Sequence, residues 1–100
     1  MIIYNTTFHI EESIQQEFIE YILQNVIPQA IKSELLTSPR FSQIFGEEET
    51  SGFSYALEFA TESISTLEQW NKTESTAVIT PLIEKFKDKV VGFSTIMQTI

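Results

Sequence analysis

Apolar and polar residues alternate from the start of the chain. Ile2, Tyr4, Phe8 and Ile10 share one side with Thr6, while Ile3, Asn5, Thr7 and His9 share the other. A period of two, rich in β-branched and aromatic residues, predicts a strand over residues 2–10. At Glu11-Glu12-Ser13 the spacing turns helical, with two acids where the positive end of a helix stabilises them. Ile14, Phe18, Tyr21, Ile22 and Val26 recur at three and four, and Ile19, Leu23 and Ile27 widen the stripe past the ~100° that covering a sheet requires. Pro28 lacks an amide hydrogen and disfavours helix at the residue before it. A kink or restart is expected there, with a second helical segment over residues 29–36, ending before Ser38-Pro39.

Residues 40–45 read as a second strand, and residues 46–52 as a polar turn bounded by two glycines. Phe53, Tyr55, Leu57 and Phe59 then alternate with Ser54, Ala56, Glu58 and Ala60, so the two strands form a hairpin. Thr61, Ser63 or Ser65 can cap the following helix, which carries Ile64, Leu67 and Trp70; Ser65 with Glu68 has capping-box spacing. Thr80-Pro81 predicts a helix start, because threonine suits the cap and proline the first helical position. Leu82, Ile83 and Phe86 then face inward, with Lys85, Lys87 and Lys89 near the end that favours cations. In the last run, residues 90–100, Val91, Phe93, Thr95 and Met97 lie opposite Val90, Gly92, Ser94 and Ile96. Apolar on both faces, this strand is expected in the sheet interior and not at a solvated edge.

The order strand, helix, strand, strand, helix, strand specifies an α+β, ferredoxin-like βαββαβ fold with an antiparallel four-stranded sheet and helices on one face. The other face is expected to carry Ile3, Ala56, Ala60, Val90 and Ile96 beside Asn5, Thr7, Ser54 and Ser94, which is too apolar for water. Together with the broad stripe on the first helix, this predicts a homodimer packed sheet to sheet about a two-fold axis.

The chain also resembles a family of small uncharacterised bacterial proteins, a domain of unknown function of the dimeric α/β-barrel, ferredoxin-like type. The resemblance spans all residues. It rests on Ile3-Tyr4-Asn5 with Thr7, Ile27-Pro28, Tyr55, and the closing residues Phe86, Asp88-Lys89-Val90-Val91, Phe93 and Thr95. The family pattern has a histidine before the Ile-Pro pair and an arginine before the final threonine, where this chain has Val26 and Ser94. An activity that depended on those polar groups would be lost here. The resemblance implies a dimeric α/β barrel and supplies neither substrate nor catalytic residue.

Composition narrows the picture. One hundred residues with 42% hydrophobic and 20% charged positions suit one domain, residues 1–100, with a packed core. No cysteine is present, which removes disulfides, thiolate metal sites and cysteine nucleophiles. A net charge of -8 disfavours nucleic acid and anionic membranes as partners. That charge is uneven, since residues 1–50 hold eight acids and two bases and residues 51–100 hold six and four. No apolar run reaches membrane-spanning length and the N-terminus lacks a basic signal segment, so a soluble cytoplasmic protein is expected.

Candidate chemistry is sparse. The glycines Gly46, Gly52 and Gly92 are too far apart for a phosphate loop or dinucleotide fingerprint, one histidine cannot make a helical zinc site, and no nucleophile elbow occurs. Asn5-Thr6-Thr7 and Asn71-Lys72-Thr73 match glycosylation sequons without a secretory signal to give them meaning. Glu47-Glu48-Glu49 reads as a solvated turn. His9, the one side chain that ordinarily titrates near neutrality, is a proton shuttle or haem ligand if it faces a cleft, and otherwise pairs with a nearby acid. Arg40, the single arginine, can clamp a carboxylate or pair with one of the chain's own acids. Tyr4, Tyr21, Tyr55 and Trp70 would line an apolar pocket with a few hydroxyls if they converge between sheet and helices; otherwise they are core. The expectation is therefore a binding or structural module without cofactor or metal, whose ligand is a small apolar or aromatic molecule. The alternative is an enzyme like the cofactor-independent monooxygenases, isomerases and haem-degrading proteins of similar architecture, favoured if His9 or Arg40 shares a pocket with Tyr55 or Trp70.

Overall fold

In the computed structural model, residues 1–46 and 51–100 are described. Eight elements follow in order: β1 (Ile2–Ile10), α1 (Gln15–Tyr21), α2 (Ile27–Lys32), β2 (Thr37–Ile44), β3 (Phe53–Thr61), α3 (Ile64–Thr73), α4 (Ser75–Phe86) and β4 (Val90–Gln98). The strands form one antiparallel sheet in the order β2-β3-β1-β4, as the ferredoxin-like reading requires. The expected run Glu47-Glu48-Glu49 lies outside the described residues.

The first helical stretch answers the Pro28 problem with a wider turn and no break. Residues between α1 and α2, Ile22–Val26, form a π turn, and both flanks keep right-handed helical angles. The proline ring would press on the carbonyl four residues back, Gln24, and a π turn at that point relaxes the contact. The broad apolar stripe divides. Ile14, Phe18, Ile22, Val26 and Ala30 are buried, Ile19 and Ile27 are half-buried, and Leu23 stays exposed. Helix ends at Lys32, short of the expected residue 36, and Leu36 is instead fully buried just before β2.

Two expectations in the second half are corrected. Thr80-Pro81 does not start a helix: α4 begins at Ser75 and carries Pro81 in its interior. Pro81 cannot bond the Ala77 carbonyl as a helical residue would, and Gln29 Nε2 of α2 donates to that carbonyl at 3.5 Å. Among the candidate caps, Ser63 is the one used, its Oγ accepting from the Thr66 amide at 3.1 Å.

The second correction concerns β4, which is an edge strand and not an interior one. β1 pairs with β3 on one side and with β4 on the other, and β4 has no further neighbour among the described strands. Register also reverses its faces relative to the sequence reading. Val90, Ser94 and Ile96 stand opposite Ile10, Thr6 and Tyr4 and so share the helix side; Val91, Phe93 and Met97 stand opposite His9, Thr7 and Ile3 on the open side. Except for half-buried Val90, every residue of β4 is exposed. Its apolar character on both faces therefore describes a strand without cover.

The core lies between the sheet and the helices. Phe18 is completely buried at its centre, with ring centroids of Phe8, Tyr55, Phe86 and Phe41 at 5.3, 5.8, 5.7 and 6.3 Å.

Candidate functional site

Phe18 of α1 packs on Phe8, Phe41 and Tyr55 of β1, β2 and β3, while a gap opens between α4 and β4. The gap is a groove of about 390 Å³, walled by Ile79, Leu82 and Ile83 of α4 and floored by Phe8, Val90 and Gly92. Ile79, Leu82 and Ile83 follow at intervals of three and one, so one face of α4 presents them, and Lys87 joins the lining from just beyond the helix end. Gly92 keeps the floor low: opposite Phe8 in register, a Cβ there would crowd the Phe8 ring at 3.2 Å.

Polar groups occupy two places along this apolar trough. Tyr4, Thr6 and Ser94 form a hydroxyl row across the β1–β4 ladder, with Ser94 Oγ donating to the Tyr4 hydroxyl at 3.4 Å and lying 3.2 Å from Thr6 Oγ1. At the far end stands Lys87. Its amide closes α4 on the Ile83 carbonyl, and its backbone takes φ 52°, ψ −128°, a conformation proper to glycine that costs a lysine ~1–3 kcal/mol. Among the described residues Lys87 has no ion pair; the one found joins Lys85 Nζ to Glu17 Oε2 at 3.0 Å on the surface.

The six residues singled out from sequence do not converge. Tyr4 alone lines the groove. Tyr55 is buried, stacked on Phe41 at 5.4 Å, and its hydroxyl accepts from Gln15 Nε2 at 2.9 Å. Trp70 is core. Tyr21 packs edge-on to Phe86 at 5.7 Å, with Lys85 Nζ 5.9 Å from its ring centroid. His9 and Arg40 belong to the open side of the sheet. His9 Nε2 donates to the Ser51 carbonyl at 2.9 Å, and Nδ1 is hydrogen-bonded with Ser54 Oγ at 2.9 Å. This pairing ties β1 to the β2–β3 connection, and His9 lines a small separate hollow there with Glu11, Asp88 and Lys89. Arg40 stands opposite Glu58 in the β2–β3 ladder. Neither shares a cavity with Tyr55 or Trp70. The expected aromatic pocket is thus replaced by the β4–α4 groove, whose Lys87, Thr6 and Ser94 the sequence reading did not choose. Of the two departures from the family pattern, Val26 is buried in the core and Ser94 lines the groove.

The open side has its own character. Val91, Phe93, Met97 and Ile44 are exposed there, the first two by 62% and 65%. In its middle Asn5 is only 9% exposed; its Nδ2 donates to Thr7 Oγ1 at 3.1 Å, while its Oδ1 is buried with no partner among the described residues. Also among the described residues, no helix is long and apolar enough to cross a membrane, and no cluster of side chains is arranged to hold a metal ion.

Comparison with solved structures places this geometry in a known architecture. A protein of the ethyl tert-butyl ether (EthD) family from Bacillus halodurans matches at a TM-score of 0.73 and 16% identity, over 100% of each chain. A dimeric ferredoxin-like protein from an uncultured marine organism matches at 0.76 and 12% identity, over 99% of this chain and 94% of that one. An antibiotic biosynthesis monooxygenase matches at 0.66 and 13% identity, over 100% of this chain and 99% of that one. At such identities the likeness establishes the fold, that of dimeric α/β-barrel proteins, and leaves chemistry to the site. No curated protein matches the sequence. Residues 1–100 match the family described as a domain of unknown function, DUF4286, and the chain belongs to that family.

Proposed function

We propose that the protein is a homodimeric binding module, two copies packed through their open sheet faces, each holding a small apolar or aromatic molecule in its own β4–α4 groove. The observation that carries the ligand reading is the groove itself: apolar on helix wall and strand floor, with a few hydroxyls at one end, as small-molecule sites commonly are. The dimer reading is supported by the exposed apolar residues of the open face. Catalysis by an acid–base pair has no support in the groove, where the ionisable lining residues are Tyr4 and Lys87.

Titration with the neutral apolar fluorophore N-phenyl-1-naphthylamine tests the ligand site. Saturable binding by the wild type is expected, with loss in Ile83→Glu. Ile83 is 59% exposed, so this change puts a charge on the trough wall without breaking the core. No binding to the wild type, or equal binding to the variant, contradicts the proposal.

A further inference from the structure

We infer that the groove selects an organic acid, its carboxylate held by Lys87 and its apolar body lying under α4 towards the Tyr4–Thr6–Ser94 hydroxyls. This inference rests on the groove being a ligand site and adds the chemical class of the ligand.

Three observations converge on Lys87. The first is charge. In a chain of net charge -8, this lysine lines the groove with no acidic partner among the described residues, so its ammonium is available to an anion. The second is cost. At φ 52° and ψ −128° glycine would suit the backbone better, and the position is occupied by lysine nonetheless. Capping does not require the side chain either, because the bond to Ile83 O is made by the backbone amide. The third is spacing. From Ile79 to Phe86, the last residue of α4, is seven residues, ~10 Å along the axis, and Lys87 follows directly at that end. On the strand side, Val90 and Ser94 are four residues apart, ~13 Å in extended chain. Cation and hydroxyls therefore stand at opposite ends of a trough about as long as one aromatic ring with a short side chain, or a short acyl chain. A ligand that satisfies both ends carries an anionic group at one end and an apolar middle; a hydroxyl or carbonyl at the other end meets the row.

The test compares two fluorophores of similar shape, anionic 1-anilinonaphthalene-8-sulfonate and neutral N-phenyl-1-naphthylamine, on wild type, Lys87→Gly, Lys87→Met, Lys87→Arg and Ile83→Glu. Loss of a charged contact is expected to weaken the anionic probe about tenfold or more in Lys87→Gly and Lys87→Met, and Lys87→Arg to stay within about threefold of wild type. Binding of the neutral probe is expected to change less than about twofold in all three Lys87 variants. Lys87→Gly is further expected to melt no lower than wild type, because glycine relieves the backbone. That combination separates a ligand contact from a structural one. Unchanged affinity for the anionic probe in Lys87→Gly and Lys87→Met, with the neutral probe still lost in Ile83→Glu, overturns the acid while leaving the groove intact. Neutral binding that survives in Ile83→Glu overturns the groove reading itself.

Discussion

Gly52 adopts φ 93°, and an added Cβ would run into the Ile10 carbonyl oxygen. Gly52→Ala is therefore expected to destabilise by ~1–3 kcal/mol or more, seen as a lower urea midpoint at unchanged slope; an unchanged midpoint would mean that the β2–β3 connection relaxes freely. The same corner explains His9. From sequence it could be a shuttle or a partner of nearby acids, yet it bonds Ser51 and Ser54, a pairing set by the hairpin register. Residues whose role follows from local periodicity, such as Phe18 in the helical stripe or Tyr55 in the alternating strand, were legible. Lys87 was not, because charge near a helix end accounts for it equally well until its backbone angles and the adjoining trough are seen.

Among the elements, those with strong alternation were readable to within a residue or two. β1 coincides with its expected span, and β3 extends one residue past Ala60. Helix boundaries were misread where proline was taken as punctuation. Thr80-Pro81 has the chemistry of a start, but Val78 before it forms one buried face with Leu82 and Phe86 after it, and that burial carries α4 through the proline. Pro81 should consequently be a local weakness. Pro81→Ala restores an amide able to bond the Ala77 carbonyl and is expected to stabilise by about 1–2 kcal/mol, after subtracting the entropy that proline removes from the unfolded chain. Thermal melts at equal protein concentration read this as a rise of several degrees. A fall would show that the ring's packing matters more than the missing bond. The position of β4 was also misjudged, for a general reason: alternation tells which residues share a face but not which strand is the neighbour, and an apolar strand can be buried by another chain as well as by its own sheet.

At the scale of the whole molecule, the cover for the sheet remains the central question. Helices protect one side, and Phe18 with its surrounding rings forms a complete core there. The other side leaves Val91, Phe93, Met97 and Ile44 in contact with water and strands the Asn5 carbonyl oxygen. The apolar excess was legible in the sequence, although the residues first assigned to that face in β4 were the wrong alternates, because the register with β1 cannot be read from β4 alone. An aligned sheet-to-sheet pair would bury Val91, Phe93, Met97 and Ile44 and still leave the groove, on the opposite side of β4, open to a ligand. Sedimentation equilibrium of the wild type and of the double variant Val91→Glu/Met97→Glu, at micromolar concentration, tests this account most directly. The account predicts twice the 11.5 kDa chain mass for the wild type and the single-chain mass for the variant, in which four like charges would meet across the two-fold axis; a wild type that sediments as a single chain, or a variant that remains dimeric, would contradict it.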